Sequence, residues 1–228
     1  MLVRVATDAR APLTLVDRAR RELEERFVTQ QLEPGSVWSE ASLSDLLGIG
    51  RTPVREAIAR MAADGLCTVI RRAGIVISNI SIEEQLQVIE TRRVLEKLVS
   101  LSAADRATEV ERGRLRDMAQ RIERAGAAAD VHGYLSAHFE IKRFVTQCAR
   151  NAHAERALRP LHTLSQRFYF AYYRELDNLP IVGRAHAELT NAIAAGDAEL
   201  AAQRSDVVSD IAESFTRDLL FRRPRQFT

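Results

Sequence analysis

Two arginines stand at the start of a predicted helix and offer chemistry suited to nucleic acids. Arg51 and Arg55 flank a threonine–proline step. Thr52 is predicted to cap a helix whose first residue is Pro53, a position where the missing proline N–H costs nothing. Because arginine carries a planar fork of N–H donors, the pair indicates a surface that can read base edges.

A second group consists of ionisable residues on predicted apolar helix faces. His138 and Lys142 lie in one apolar stripe, His186 in another, and Arg92 in a third, with Glu96 one turn further on. Because a buried polar group needs a partner and often marks a site, we expect these residues to line one cavity. The ordinary alternatives are a satisfied core histidine, an Arg92–Glu96 pair on a helix surface, and a Lys142 that extends outward to water. The remaining histidines, His132, His153 and His162, are given no role.

The composition bounds the class of protein. The chain has 228 residues, of which 46% are apolar and 28% charged, as expected of a soluble globular protein with a real core. The longest apolar runs are far below the ~18 residues that span a bilayer, and no signal peptide is recognisable, so we expect a cytoplasmic protein without membrane contact. Cys67 and Cys148 lie far apart and indicate neither a disulfide framework nor a zinc site. With a net charge of only +2, nucleic-acid binding would depend on local placement of basic residues.

The elements that would position Arg51 and Arg55 form a compact pattern. A helix is predicted over residues 13–31, a short helix begins at Ser39 and ends at Gly48, and a third helix runs from Pro53 to Asp64. Two β-rich runs then flank a short link that holds Arg71, Arg72 and Gly74. Three helices and a hairpin predict a winged helix-turn-helix, whose second paired helix enters the major groove while the hairpin contacts phosphate or the minor groove.

The remainder of the chain is helical in pattern nearly to its end. Capping boxes are predicted at Ser81–Glu84 and Thr108–Glu111, and each opens an amphipathic run. Further helices are predicted over roughly 131–150, 154–175, 181–195 and 198–221. Six to seven helices with short links predict an antiparallel all-α bundle, in which sites are built from inward side chains. The fold class is therefore mainly α. We expect a flexible arm over 1–12, the winged helix-turn-helix domain over 13–79, an effector-binding and dimerisation domain over 80–221, and a basic tail over 222–228.

The front of the chain resembles a known family. The residues at 33–40, 43–58 and 64–66 are similar to the GntR family of bacterial transcription regulators. This resemblance implies that Arg51 and Arg55 contact DNA and that Thr52 and the wing glycine, Gly74, lie at the same surface. Ala41 departs from the pattern, because some members carry a basic residue there.

The bundle resembles the FadR-like C-terminal ligand-binding domain, of the FCD type, through residues 91–96, Asn151 and residues 185–197. Many members hold a divalent metal, with an aspartate and a histidine four residues apart and two later histidines, and bind a small carboxylate against it. Counted back from Asn151, the aspartate position is His138 and the first histidine position is Lys142. His186 matches the second histidine, and the last falls near Val208, an apolar position.

This departure predicts a site without a metal. A protonated lysine has no lone pair to donate, and two histidines fall short of the three or more protein ligands that such sites use. We expect Lys142 to supply the positive charge instead and, with Arg92, to bind the carboxylate of an organic-acid effector. The predicted effector-binding residues are Arg92, Glu96, Tyr134, His138, Lys142 and His186. If zinc or nickel is retained, His138 and His186 would be ligands. A register shift of one turn would put Tyr134 in the aspartate position and leave the site incomplete. Asp206 or Asp210 would be a further ligand only if the last helix is rotated.

The leading interpretation is a dimeric, ligand-responsive regulator that binds a near-palindromic operator and is not an enzyme. Three alternatives stay open on the sequence. The first is a metal-dependent regulator of the same kind. The second is a small all-α enzyme with a histidine-lined cavity, although no nucleophile–base spacing, carboxylate pair or phosphate loop supports it. The third is an architectural DNA binder without an effector.

Overall fold

The computed structural model describes residues 14–172, 175 and 178–221, and within these ranges it contains nine helices and three short strands. The helices are α1 (Leu15–Val28), α2 (Glu40–Leu47), α3 (Arg51–Ala63), α4 (Ile82–Arg106), α5 (Glu109–Ala127), α6 (Val131–Cys148), α7 (Ala152–Ala171), α8 (Leu179–Ala195) and α9 (Ala198–Phe221). The strands are β1 (Val37–Trp38), β2 (Cys67–Ile70) and β3 (Gly74–Ile77). The predicted arm at 1–12 and tail at 222–228 lie outside the described residues.

The chain divides into two compact units. The first contains the residues up to Ile80 together with Thr163–Ala171, the second half of α7. The second contains Ser81–His162 and the chain from Tyr172 onward. The predicted fold class, a winged helix-turn-helix followed by an all-α bundle, is confirmed. No helix in the described part of the chain is long and apolar enough to cross a membrane.

The helix-turn-helix of the first unit is closed by local caps. The Ser39 side chain accepts a hydrogen bond from the Ser42 N–H, and the Ser39 N–H donates one to the Ser42 hydroxyl, so α2 begins next to the residue at which the sequence predicted its start. Gly48, at a φ of 62°, ends α2 in the left-handed conformation. The predicted cap of α3 is wrong, because Gly50 is the cap residue and Thr52 already lies within the helix. Proline is tolerated anywhere in a first turn, where N–H groups have no helical partner, so Pro53 marks the start only approximately.

The wing is a three-stranded antiparallel sheet with the order β1-β3-β2. The predicted hairpin corresponds to β2 and β3, while β1, which pairs Val37 with Val76 and Trp38 with Ile75, was not expected. Gly74 has a φ of 116°, and a Cβ atom there would lie only 2.6 Å from the Trp38 carbonyl oxygen. Glycine is therefore needed at this position so that β1 can approach β3.

The second half of α7 completes the core of the first unit. The Arg167 guanidinium lies 3.9 Å from the centre of the Phe27 ring, and its Nη1 donates a hydrogen bond to the Ser78 carbonyl oxygen. Arg167 is only 2% exposed, and Leu164 packs against the same apolar core. This helical segment, distant in sequence, therefore stabilises the winged domain through a buried cation–π contact.

The second unit is a bundle in which α5 and α8 approach closely at two glycines. A Cβ atom on Gly126 would lie 2.7 Å from the Leu179 carbonyl oxygen and 3.0 Å from the Gly183 Cα. The Thr108–Glu111 capping box that the sequence predicted is formed at the start of α5. Both α5 and α8 also pack against α6.

Several predicted helix boundaries differ from the structure by a few residues. The helices predicted over 13–31 and 131–150 end earlier, at Val28 and Cys148. The helix predicted over 181–195 begins at Leu179, because Pro180 fits into its first turn. The helix predicted over 154–175 spans Ala152–Ala171, and its predicted last residues fall partly outside the described residues. Helix ends depend on single hydrogen bonds that a periodic pattern does not specify.

Candidate functional site

The outer face of α3 carries the predicted DNA-contacting residues. Arg51, Thr52 and Arg55 are all exposed, whereas the opposite face of α3 is anchored by apolar side chains in the core of the first unit. The buried anchors are Val54, Ala57, Ile58 and Met61. The structure thus presents the three predicted residues together on a helix that is held firmly from behind.

Arg55 is bound by a carboxylate from the preceding helix. Its Nε lies 2.8 Å and 3.0 Å from the two carboxylate oxygens of Glu40, and its Nη2 lies 2.8 Å from Glu40 Oε2. This hydrogen bonding lowers the pKa of Glu40 and raises the pKa of Arg55, and the nearby charge of Arg51 also lowers the pKa of Glu40. Sequence reasoning gave Glu40 no role, because its partner lies 15 residues away on another helix.

The wing presents its two arginines at the turn between β2 and β3. Arg71 and Arg72 are both exposed, and Arg72 adopts a positive φ of 67°. The neighbouring Val69 and Ile70 are about half exposed. The close approach of β1 explains why residue 74 is a glycine. A contact between Gly74 and DNA stays a prediction.

The predicted ionisable residues of the bundle converge on the Glu96 carboxylate. Arg92 donates to Glu96 Oε1 from Nε at 3.0 Å and from Nη2 at 2.7 Å. Lys142 Nζ lies 2.6 Å from Glu96 Oε2, and His162 Nε2 lies 3.0 Å from Oε1. Except for His162, which is partly buried, these residues are all buried. The arrangement is a carboxylate surrounded by three nitrogen donors inside the bundle.

Burial and mutual charge set the protonation of this cluster. Burial alone would raise the pKa of Glu96, but the charges of Arg92 and Lys142 and the hydrogen bond with His162 hold that pKa well below its usual value. Burial lowers the pKa of Lys142 while Glu96 opposes the change, and burial also lowers the pKa of His162. Glu96 is therefore held as an anion, which forms an ion pair with Lys142.

His138 and His186 form a second layer next to the charged cluster. Their ring centres lie 4.5 Å apart in an edge-to-face arrangement. His186 Nδ1 lies 3.0 Å from the Val182 carbonyl oxygen and 3.4 Å from the Tyr134 hydroxyl. Since a carbonyl oxygen only accepts, Nδ1 carries the proton and Nε2 holds a lone pair, which is buried and has no partner within the described residues. Burial lowers the pKa of His186 to about 3, so this ring is neutral.

A small cavity lies between α4, α6, α7 and α8. Its volume is about 20 Å³, which is room for roughly one water molecule. Its polar walls are Glu96, Ser100, Lys142, Thr146, His162, His186 and Thr190. Of the predicted effector-binding residues, Glu96, Lys142 and His186 therefore line the cavity. Arg92, Tyr134 and His138 do not line it, but each contacts a residue that does.

Three expectations about these residues need correction. The Arg92–Glu96 pair is buried and does not lie on a helix surface. Lys142 does not extend to water, because its Nζ binds the buried Glu96. His162, which was given no role, binds Glu96. The available signal was its position one turn after the buried Leu158, on the inward face of α7.

The donor set does not fit the metal site that the resemblance implies. Lys142, in the first histidine position, is an ammonium bound to Glu96 and has no lone pair for a metal. The alternative ligands Asp206 and Asp210 bind Lys97 at 2.7 Å and Arg93 at 2.6 Å instead. Within the described ranges, no group of three or more histidine, cysteine, aspartate or glutamate side chains is arranged to hold a metal ion.

The chain matches two family models and is similar to known transcriptional regulators. Residues 15–77 match the model "Bacterial regulatory proteins, gntR family", and residues 87–207 match the "FCD domain" model. The chain is 26% identical over 170 residues to the "Nta operon transcriptional regulator" of Aminobacter aminovorans, covering 73% of this chain and 78% of that protein. It is 28% identical over 153 residues to an uncharacterized HTH-type transcriptional regulator of Agrobacterium vitis, covering 65% of this chain and 88% of the relative.

Solved structures show the same fold. E. coli McbR/YncC superimposes with a TM-score of 0.77 at 15% identity, covering 92% of this chain and 100% of that one. A putative GntR transcriptional regulator from Rhodococcus sp. RHA1 gives a TM-score of 0.65 at 20% identity, covering 89% of this chain and 97% of that one. At these identities the likeness shows the fold and nothing further.

Proposed function

The chain belongs to the bacterial regulators that join a gntR-type DNA-binding domain to an FCD domain, and from this premise we propose that a small organic acid, bound beside Lys142, controls its affinity for an operator. The protein is a DNA-binding transcription regulator. The alternative of a small all-α enzyme is wrong, because the family and the relatives are transcriptional regulators.

On the DNA side, we propose that α3 enters the major groove. Arg51, Thr52 and Arg55 are exposed at its N-terminal end, which is the part of a recognition helix that contacts base edges. Arg71 and Arg72, exposed on the wing, would contact phosphate. A two-fold dimer would place two such helices in successive major grooves, so its operator would be an approximate palindrome with half-sites about one helical turn apart.

On the effector side, the observation that carries the proposal is the buried Lys142–Glu96 ion pair in the wall of the cavity. An ammonium held away from water binds a carboxylate strongly. In this structure the carboxylate bound to Lys142 is that of Glu96. An organic acid would compete with Glu96 for Lys142. Glu96 would keep Arg92 and His162 as partners after the exchange, so the exchange leaves no bare anion behind.

The neighbouring groups narrow the class of acid. His186 lines the cavity, and its Nε2 holds a buried lone pair, which would accept a hydrogen bond from a hydroxyl group of the ligand. Since about 20 Å³ holds only one water, side chains in the cavity wall must move to admit even a small acid. A ligand that binds only the rearranged bundle shifts the population toward that arrangement, which is the requirement for control of operator affinity.

The test compares Lys142→Met with Lys97→Met in the full chain. Lys97 is the chain's other lysine, and it pairs with Asp206 at the surface. A panel of small mono- and dicarboxylic acids, with and without hydroxyl groups, is titrated calorimetrically into each protein. We expect an acid that binds the wild type and Lys97→Met to lose at least about tenfold in affinity for Lys142→Met, because the charged partner is gone.

The operator complex provides the functional arm of this test. The same acid should change the affinity of the wild type and Lys97→Met for DNA upstream of the chain's own gene, in a gel-shift assay, and leave Lys142→Met unaffected. Equal affinity of Lys142→Met for the acid would overturn the proposal, as would stoichiometric zinc or nickel in the native protein. Failure of every acid to bind would favour the architectural DNA binder without an effector.

A further inference from the structure

Glu40 engages one side of the Arg55 guanidinium and leaves the other side facing outward. The bonds run from Arg55 Nε and Nη2 to the two carboxylate oxygens of Glu40, at 2.8–3.0 Å. No bond from Arg55 Nη1 is formed within the described part of the chain. The Arg55 side chain is 67% exposed and that of Glu40 is 36% exposed, so the pair lies on the surface.

This geometry matches what an arginine needs to recognise guanine. A guanidinium has five N–H donors in a rigid fork, and guanine accepts two hydrogen bonds in the major groove, at O6 and N7. Glu40 occupies the side formed by Nε and Nη2. The end of the fork, formed by Nη1 and the second hydrogen of Nη2, stays available as a pair of parallel donors.

We infer that Glu40 determines base specificity by holding Arg55 in the orientation that presents this free pair of donors to a guanine. The inference rests on the DNA contact proposed above for Arg55. An arginine that is already fixed loses less conformational freedom when it binds guanine. An incorrect base offers no acceptors that match the fixed donors, so binding to that base is not favoured in this way. Glu40 is therefore a positioning residue, which acts on the base through Arg55.

The negative charge of Glu40 makes a role in base specificity distinguishable from a role in overall DNA affinity. A carboxylate beside the DNA surface repels phosphates and so weakens binding to every sequence. Ala41, the next residue on α2, supplies no charge to offset it. Glu40 should consequently lower affinity for all DNA while raising the preference for the correct base, and these two effects are measurable independently.

The experiment uses the full chain and a duplex selected from a random pool by the wild-type protein. Glu40→Gln keeps the size and helix propensity of the side chain but removes its charge, and Glu40→Ala removes the contact altogether. Asp45→Asn is the matched control, because Asp45 is an exposed acid on the same helix without an arginine partner in the described residues. Arg55→Lys locates the base pair that Arg55 reads. Fluorescence anisotropy then measures the affinity for the selected duplex, for versions with each guanine replaced, and for an unrelated duplex.

We expect Glu40→Gln and Glu40→Ala to bind the unrelated duplex more tightly than the wild type and to lose about three- to tenfold in the preference for the selected duplex. The lost preference should fall on the guanine identified by Arg55→Lys, and the double variant Glu40→Gln/Arg55→Lys should lose no more at that position than Arg55→Lys alone. Asp45→Asn should keep the full preference. Thermal unfolding followed by Trp38 fluorescence verifies that each variant is folded.

Three results would overturn the inference. If Glu40→Gln changes the affinity for every duplex by one factor, Glu40 acts only through its charge. If Glu40→Gln binds the selected duplex more tightly with the base preference intact, Glu40 merely restrains Arg55. If Arg55→Lys itself keeps the whole preference, the DNA contact proposed for Arg55 fails, and the inference fails with it.

Discussion

The Glu96 carboxylate, in the wall of the cavity, is bound by Arg92, Lys142 and His162. Arg92 and Glu96 are one turn apart on α4, so their contact follows from helix geometry alone. Lys142 and His162 reach the same carboxylate from α6 and α7. A carboxylate that serves two cations and a histidine can release one of them at limited cost, which is the property that the proposed exchange with an effector requires.

His186 gives this cluster a testable dependence on pH. Burial lowers its pKa from the ordinary 6.5 to about 3. As the pH falls from 7 to 5, the unfolded chain takes up a proton at this residue and the folded chain does not, so the free energy of unfolding must decrease. Substitution of His186 by glutamine should remove on the order of 1–2 kcal/mol of that decrease. The depressed pKa of Glu96 lowers the free energy of unfolding only below about pH 4.5, where the unfolded chain begins to take up a proton at this residue before the folded chain does.

The measurement is urea unfolding at pH 7 and pH 5, followed by far-ultraviolet circular dichroism. The control is His153→Gln, because His153 is exposed on the first half of α7. His138 and His162, whose pKa values are also lowered chiefly by burial, stay in all three proteins. The same pH dependence in His186→Gln and in the wild type would show that His186 is protonated in the folded protein.

The sequence predicted the inward position of these residues but not their partners. The apolar stripes of α4, α6 and α8 were enough to place Arg92, His138, Lys142 and His186 inside the bundle. The partner of Lys142 lies 46 residues away in sequence, and periodicity within one helix carries no information about the distance to another. Sequence reasoning therefore assigned to an external carboxylate the place that Glu96 occupies.

Among the elements, the wing depends on a glycine whose role is steric. Replacement of Gly74 by alanine would place a Cβ atom 2.6 Å from the Trp38 carbonyl oxygen and force an alanine to a φ of 116°. We expect a loss of about 2–4 kcal/mol in the free energy of unfolding, because β1 has to separate from β3. The readout is chemical unfolding followed by the fluorescence of Trp38, which lies in β1.

Gly48 provides the comparison for this prediction. It also has a positive φ, of 62°, but a Cβ atom there would meet nothing within 4 Å. Gly48→Ala should consequently cost only the backbone strain, roughly 1 kcal/mol. Equal losses for the two alanine variants would mean that the contact with Trp38 does not constrain the wing.

Some elements of the structure could not be predicted from sequence patterns. A two-residue strand such as β1 has no period to recognise, and its existence depends on the distant Gly74. The start of α3 was misplaced by two residues, because Thr52 and Pro53 are compatible with either the cap or the first turn. Longer amphipathic helices were predicted well, since many residues agree on one face.

At the scale of the whole molecule, the unexpected feature is the division of α7. The periodicity of residues 152–171 is that of one continuous helix, and the sequence placed all of it in the second domain. The contacts assign Thr163–Ala171 to the first unit. An arginine in an apolar stripe gives little indication of this, because its cation–π partner, Phe27, is separated from it by most of the chain.

Arg167 should therefore determine the stability of the winged domain, although it lies far from that domain in sequence. Arg167→Met keeps the length of the side chain but loses the contact with Phe27 and the hydrogen bond to the Ser78 carbonyl oxygen. We expect the free energy of unfolding of the first unit to fall by about 2–3 kcal/mol. Trp38, the chain's single tryptophan, lies in that unit and reports its unfolding within the full chain.

The matched control is Arg156→Met, on the exposed side of the first half of α7, where a surface substitution should change stability by less than about 0.5 kcal/mol. Urea unfolding of both variants is followed by Trp38 fluorescence and, in parallel, by far-ultraviolet circular dichroism, which is dominated by the helices of the larger second unit. A lower midpoint for Trp38 in Arg167→Met alone would show that α7 stabilises the first unit through this side chain. Coincident Trp38 transitions in the two variants would mean that the winged domain obtains its stability from residues 14–80 by themselves.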